Sequence, residues 1–364
     1  MKNKVRASLI RGGTSKGVFF DENAFLKNET ERDSWLLSIM GSPDPSGMQL
    51  NGLGGGISST SKVGLINRSE RKNIDVNYLF GQVRLKEPKI DWKGSCGNLA
   101  AAVALYAIDE RLVHSQPDGS AQVNIWQANL NYEIRVKIYP PNDKRFWISI
   151  PGVPGKNSAI YVDFINPSPS LLPNNQPIHV LNLPNGENIE ATLICGANPT
   201  IFINALEIGL VGDELPGEFD FQKIEKLIQN ICTEGAKIMQ IPNTSAVRVA
   251  WVSSPKDYTA SDGSVILAME CDILSRISTE GRVHHAHTGT GAINLACAAK
   301  IPESIPYKIV KNRTHSGPLR IAHPLGVMQV DANVVQEGKT SKWIALNSGF
   351  MRTAKILMVG NAYI

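Results

Sequence analysis

The sequence predicts an α+β fold of two similar domains, each an antiparallel β-sheet wrapped around a central buried helix. Three observations predict it. Most of the chain reads as short β-branched runs broken by turn residues, the pattern of many-stranded antiparallel sheet rather than of alternating βαβ units. Two segments, "CGNLAAAVALYAI" (96–108) and "GTGAINLACAAKI" (289–301), are rich in alanine and apolar on nearly every face. A helix without a polar face must be enclosed by protein, and small side chains let a sheet approach it closely. These two helices lie in opposite halves of the chain, each opened by a small-residue segment, "KGSCGN" and "HTGTGA", which marks a faint internal duplication.

In chain order, strands are expected in "KVRASLI" (4–10), "SKVGLI" (61–66), "IDVNYLFGQVRL" (74–85), "AQVNIWQANLNYEIRVKIY" (121–139), "RFWISI" (145–150) and "IEATLI" (189–194). An early helix is expected in "ERDSWLLSIMG" (31–41). A second, "DFQKIEKLIQNICTEGAKIM" (220–239), is amphipathic and belongs on a surface. The Pro/Asn-rich stretch "INPSPSLLPNNQP" (165–177) reads as a long surface loop, and the linker is expected within "VLNLPNGENIEATLICGANP" (180–199). The expected domains are 1–188, with 345–364 a candidate to return to it, and 189–344. A cleft between them, with two helix N-termini pointing in, would suit a carboxylate-rich ligand, because unpaired N–H groups and the helix dipole favour anions.

With 364 residues the chain is long enough for two cored domains. Its net charge of +4 is spread out, with no Lys/Arg block and no interleaved aromatic stripe. That argues against nucleic acid and fits a small anionic substrate. No apolar stretch approaches the roughly 20 residues of a membrane span, and "MKNKVRASLIRGGTSKG" turns polar too soon for a signal-peptide core. Five cysteines, odd in number and without a CxxC pair, support neither a disulfide framework nor a cysteine-rich zinc site. A reducing cytoplasm is the expected compartment.

Cys96 is the first candidate for chemistry. At a helix N-terminus the dipole lowers a thiol's pKa, and flanking Gly94 and Gly97 allow close approach of a ligand. Cys195, Cys232, Cys271 and Cys297 sit inside apolar runs and read as packing residues. Lys62 ends "GGGISSTSK", whose three glycines and hydroxyls of Ser58, Ser59 and Thr60 form a plausible anion nest; a desolvated lysine there could act as base. From local sequence alone it is the lesser candidate. "RGGTSKG" lacks the spacing of a nucleotide-binding loop, but Arg11 with the backbone of Gly12 and Gly13 could grip a carboxylate. His284, His285 and His287 lack the H-E-x-x-H pattern of a zinc site, so no metal is expected. One of these histidines is expected to line the cleft, and His323 in "AHPLG" carries the same ambiguity; Asn198 and Thr200 offer donors beside a proline-stiffened turn. No cofactor motif is present. Side chains working alone can move a proton at a carbon next to a carboxylate, by racemisation, epimerisation or allylic isomerisation.

"SCGN" opening one half and "GTGA" opening the other resemble the diaminopimelate epimerase fold, in which a pair of cysteines serves as acid and base. The resemblance of "RGGTSKGVFF", "GSPDP", "GLGGGISSTSKV", "GSCGNLAAAV", "NPTIFINALEIGLVGDELP", "HTGTGAI" and "RTAKILMVG" to the PrpF family runs nearly end to end. It implies a cofactor-independent isomerase acting on unsaturated di- and tricarboxylates such as 2-methylaconitate, 3-methylitaconate or oxalomesaconate. It also implies Lys62 as base and Cys96 as acid or polariser, and so raises Lys62 to the favoured base. Substrate would be held by Arg11, Gly12, Gly13, Thr14, Ser15, Ser58, Ser59, Thr60, Gly97 and Asn98, and by Asn198, Thr200, Ser278, His284, Thr288, Gly289 and His323 from the second half. The epimerases' second cysteine falls at Thr288. Partners are expected to be the small-molecule carboxylate, with a homodimer compatible. Other readings are an epimerase or racemase acting alpha to a carboxylate, or a non-catalytic accessory protein of an aconitase-like enzyme.

Overall fold

A computed structural model of the protein describes residues 4–25, 28–242, 244–279 and 281–364. The chain divides into two units, 1–163 with 351–364, and 164–350. Unit 1 contains β1 (Lys4–Gly12), β2 (Ser15–Asp21), α1 (Glu29–Met40), β3 (Lys62–Arg68), β4 (Val76–Val83), the short β5 (Ile90–Asp91) and α2 (Gly97–Asp109). It continues with β6 (Ala121–Gln127), β7 (Tyr132–Ile138), the hairpin β8 (Trp147–Ile150) and β9 (Val153–Ser158), and the start of β10 (Ile160–Ile165).

Alternation along these strands sorts the residues between two helices. Phe20, Val63 and Leu65 join Leu36, Ile39 and Met40 of α1 in one apolar cluster. Gly17, Phe19 and Lys62 therefore turn to the other face, where α2 lies. The Phe19 ring stands 6.2 Å from that of Tyr106 on α2. Helix α2 packs against β1, β2, β3, β6, β7 and the C-terminal strand Ala354–Tyr363. Ala100, Ala101, Ala102 and Ala104 are fully buried there, so the expected sheet-wrapped helix is present.

Unit 2 contains β11 (His179–Asn182), β12 (Asn188–Ile194), β13 (Thr200–Asn204), α3 (Gln222–Ile238), β14 (Arg248–Ser253), β15 (Tyr258–Thr259) and β16 (Val265–Ile266). Then follow β17 (Ile273–Thr279), β18 (Arg282–Val283), α4 (Gly289–Ala298), α5 (Ile305–Val310), β19 (Leu319–His323), β20 (Gly326–Gln336) and β21 (Trp343–Arg352). The final strand, β22 (Ala354–Tyr363), pairs antiparallel with β1. Helix α3 lays Ile224, Ile228 and Ile231 onto the sheet, and α4 is buried from Gly289 through Ala298.

Strand pairing shows the duplication. In unit 1 the series β1–β2, β2–β3, β3–β4, β4–β6 and β6–β7 runs antiparallel, parallel, antiparallel, parallel, antiparallel. The series β12–β13, β13–β14, β14–β17, β17–β19 and β19–β20 in unit 2 has the same order. The sheets are thus mixed where purely antiparallel ones were expected. The parallel pairs arise where a helical crossover (α1 and α2, α3 and α4) returns the chain in the same direction.

The division between units falls at Asp163/Phe164 rather than at 188/189. The expected surface loop 165–177 is packed in part, and the expected linker 180–199 is built into unit 2. Leu171 and Leu172 are buried, Leu181 and Leu183 join the unit 2 core, and β11 pairs with β12. At the other end, 351–364 belong to unit 1.

Ala102 faces Gly12 across the α2–β1 contact, where even one added carbon on Gly12 would come within 3.1 Å of the Ala102 Cβ. Ala102→Leu is expected to destabilise unit 1 by about 1–3 kcal/mol through overpacking, read as a lowered urea midpoint with unchanged secondary structure by circular dichroism.

Candidate active site

The start of α2 is built against the β1–β2 turn. Gly13 adopts φ +52, which glycine tolerates. A Cβ on Gly12 would lie 2.4 Å from the Asn98 backbone O, and one on Gly13 would lie 2.4 Å from Asn98 Oδ1. The glycine pair is therefore a requirement of close approach. Asn98 Nδ2 donates to Thr14 Oγ1 at 3.2 Å, and the Cys96 thiol faces Ser15 Oγ at 3.8 Å. Cys96 is the N-cap residue, with extended backbone and no side-chain cap bond. In the first turn of α2 the Leu99 amide donates to the Cys96 carbonyl at 3.1 Å, while Gly97 and Asn98 have no preceding helical carbonyl to donate to.

Lys62 comes to the same place from β3. It is buried (8% exposed) and lies directly opposite Gln82 of β4, to whose Oε1 its Nζ donates. The ammonium also lies 5.3 Å from the centre of the Phe80 ring. Gln82 Nε2 in turn donates to the Ser58 and Ser61 carbonyls, at 3.1 and 3.0 Å, pinning the Ser58–Thr60 turn. From the other side Gln49 donates to Ser61 Oγ at 2.7 Å and accepts from the Gly56 amide at 3.1 Å. Thr60 donates to the Ile57 carbonyl at 3.3 Å within its own turn, and Ser59 is buried.

Strand β2 runs past both Cys96 and Lys62. Ser15 meets Cys96. Gly17, two residues on and so on the same face, has room for a Cβ only 3.5 Å from the Lys62 Cβ and 3.2 Å from Leu99 of α2. One step of two residues along a strand spans about 7 Å. Ser15 beside the Cys96 thiol and Gly17 beside the root of the Lys62 side chain thus stand one such step apart along β2.

Arg11 lies apart from this pair. Its Nη1 donates to the carbonyls of Gly13 and Thr353, both at 3.0 Å, so it fixes the β1–β2 turn, and burial draws its pKa down. Two residues at the site escaped sequence reading. Gln82 lies opposite Lys62 only in the observed register. Arg352, from the end of β21, donates from Nε to Asn98 Oδ1 at 2.7 Å. Burial brings its pKa down to about 9, against an opposing pull from Cys96. The one available signal for Arg352 was its place in "RTAKILMVG".

Unit 2 assembles a second set at the start of α4. Thr288 caps the helix, accepting from the Gly291 amide at 3.1 Å, with Gly289 next to it. Asn198 Nδ2 donates to Thr290 Oγ1 at 3.0 Å, and Thr200 and Asn294 close the cluster. The other unit 2 candidates make local bonds. Ser278 donates to the Val249 carbonyl, and His284 Nδ1 accepts from the Ala286 amide while its ring stacks on His285. His323 Nδ1 accepts from the Leu325 amide, and its carbonyl accepts from Tyr258. His287 lies between Ser275 and the Thr288 carbonyl. Among the described residues, no three His, Cys, Asp or Glu side chains gather as metal ligands, and no helix is long and apolar enough to cross a membrane.

Two mixed sheets, each closed on a buried helix, define an epimerase-like fold. A hydroxyproline epimerase from Agrobacterium vitis superposes with a TM-score of 0.59 over 100% of this chain and 93% of its own, at 11% identity, which speaks to the fold alone. A methylitaconate-delta-isomerase crystal structure superposes with a TM-score of 0.77 over 99% of this chain and 95% of its own, at 28% identity. The 2-methyl-aconitate isomerase of Shewanella oneidensis is 34% identical, aligned over 98% of this chain and 96% of that protein. The profile of the PrpF family, described as "PrpF protein", matches residues 2–364, and the chain belongs to that family.

Burial pushes the Cys195 and Cys271 thiols up to about 11 and Cys297 up to about 12, and raises Cys232 as well. With limiting iodoacetamide at pH 7.5, peptide mapping is expected to find Cys96 modified at least about tenfold faster than the other four, since only thiolate reacts.

Proposed function

We propose that this protein is a cofactor-independent isomerase that shifts a proton within an unsaturated di- or tricarboxylate of the methylaconitate, methylitaconate or oxalomesaconate type. The observation that carries the reading is the placement of Lys62 and Cys96 on either side of Ser15–Gly17, at the open end of α2. The resemblance of the chain to isomerases of methylaconitate and methylitaconate supports the substrate class.

In this reading neutral Lys62 removes a proton from the carbon adjacent to the double bond. Gln82 holds the amine in line and Phe80 keeps water from it. The electron pair left behind spreads over the double bond into a carboxylate as a dienolate. Charge developing there is stabilised by the Gly97 and Asn98 amides and by the dipole of α2. The Cys96 thiol gives its proton to the far carbon of the allyl system, the double bond moves by one position, and the resulting thiolate and protonated Lys62 return to their starting forms by exchange with solvent. The hydroxyls of Thr14, Ser15, Ser58, Ser59 and Thr60 bind carboxylate oxygens, and Arg11 acts by holding the Gly12–Gly13 turn. The start of α4, with Asn198, Thr200, Thr288 and Gly289, offers a like carboxylate site in unit 2. Ser278, His284 and His323 are proposed as neighbours of that site. A two-thiol epimerase is less favoured, because the residue at the α4 N-cap is Thr288, whose hydroxyl already caps the helix.

Assayed on trans-aconitate, 2-methylaconitate and 3-methylitaconate, wild type is expected to turn over at least one. On that substrate Lys62→Ala and Cys96→Ser should each lower kcat by about 10²–10⁴ with KM little changed. Near-wild-type kcat in Lys62→Ala would refute the assignment of the base.

A further inference from the structure

Arg352 is a buried guanidinium (7% exposed) at the end of β21, where the chain re-enters unit 1 after completing unit 2. Its Nε–H donates to Asn98 Oδ1 at 2.7 Å, and its Nη1 to the neighbouring Met351 carbonyl at 2.8 Å. Asn98 is the second residue of α2 and stands two positions from Cys96. A side-chain amide has two distinct ends. With its oxygen held by the cation, Asn98 must present its NH2 to Thr14. Arg352 thus fixes the orientation of the amide that ties the β1–β2 turn to the helix.

It also brings charge. A guanidinium stays protonated at working pH even when burial draws it down. The Ser15 hydroxyl from β2 faces Cys96, Tyr132 from β7 donates to the hydroxyl of the adjacent Ser95 at 2.9 Å, and Tyr78 from β4 and Arg352 act on Cys96 electrostatically. Burial pushes both tyrosine hydroxyls up, so they stay neutral around pH 7. A cation at this end of α2 acts in the same direction as the helix dipole, favouring negative charge on the thiol or on a bound substrate.

We propose that Arg352 is a positioning residue for the reaction: it orients Asn98 at the mouth of α2 and supplies the positive field in which Cys96 ionises. The proposal rests on Cys96 taking part in the proton shift, but its test does not need turnover.

The test is the pH dependence of Cys96 alkylation by iodoacetamide, followed on the Cys96 peptide in the full chain without substrate. Wild type, Arg352→Lys, Arg352→Gln and Asn98→Asp are compared. Removing the charge in Arg352→Gln, or neutralising it with the carboxylate of Asn98→Asp, is expected to move the midpoint up by about one pH unit. The rate at pH 7 should fall about tenfold with it, since reactivity follows the thiolate fraction. Arg352→Lys, which keeps the charge, should stay within about 0.3 unit of wild type. Should Arg352→Gln fail to fold, Asn98→Asp and Arg352→Lys still decide the matter. Equal midpoints in every folded variant would overturn the proposal, even if isomerase activity were lost. A raised midpoint alongside full activity in Cys96→Ser would show that Arg352 sets the Cys96 ionisation but, by removing Cys96 from the mechanism, would overturn its role in the reaction.

Discussion

The first turn of α2 and the β1–β2 turn touch with no space between them for a side chain, and the rest of unit 1 depends on that contact. Gly12 meets the Asn98 carbonyl, and Gly13 meets the Asn98 side chain. Such an approach is open only to glycine facing a helix of small residues, which accounts for an alanine-rich α2 with no polar face. The helix cannot then end in solvent. Its unpaired amides open beside Cys96 and Ser15, and the dipole gives the spot a positive character before any side chain adds to it. Burying α2 therefore sets the Cys96 thiol and the positive end of the helix together beside the β1–β2 turn.

The same frame is used twice with different chemistry. Both units run the same series of parallel and antiparallel pairs, with helices at the same two crossovers. Where unit 1 has Cys96 at the helix N-cap, unit 2 has Thr288, whose hydroxyl is spent on the Gly291 amide. Where β3 begins with Lys62, β14 begins with Arg248. At these positions unit 1 has a thiol and an amine, and unit 2 a hydroxyl and a guanidinium. The two side chains proposed to carry the proton shift both belong to unit 1.

Much of this was legible in the sequence, for physical reasons. Helices α2 and α4 showed themselves because a helix apolar all round has only one place to go. Cys96 stood out because glycines and a helix start flank it. Lys62 needed the family resemblance, since nothing local distinguishes a buried lysine from a solvated one. Gln82 and Arg352 were invisible, because their roles arise from pairing across 20 and 254 residues of chain. The division between units was misplaced because the chain crosses inside strands, β10 and β21, where composition does not change. The prolines and asparagines of 165–177 read as a surface loop, while Leu171 and Leu172 within it are buried.

The central claim is that two separate side chains, Lys62 and Cys96, pass a proton across an allyl system. Proton NMR of the wild-type reaction in deuterium oxide tests it most directly, using whichever of trans-aconitate, 2-methylaconitate or 3-methylitaconate is turned over fastest. Because one group removes the proton and another supplies its replacement, the account predicts a shifted double bond with deuterium at the newly saturated carbon from the first turnover. Product carrying only the original protium, or deuterium gained with no movement of the double bond, would contradict it.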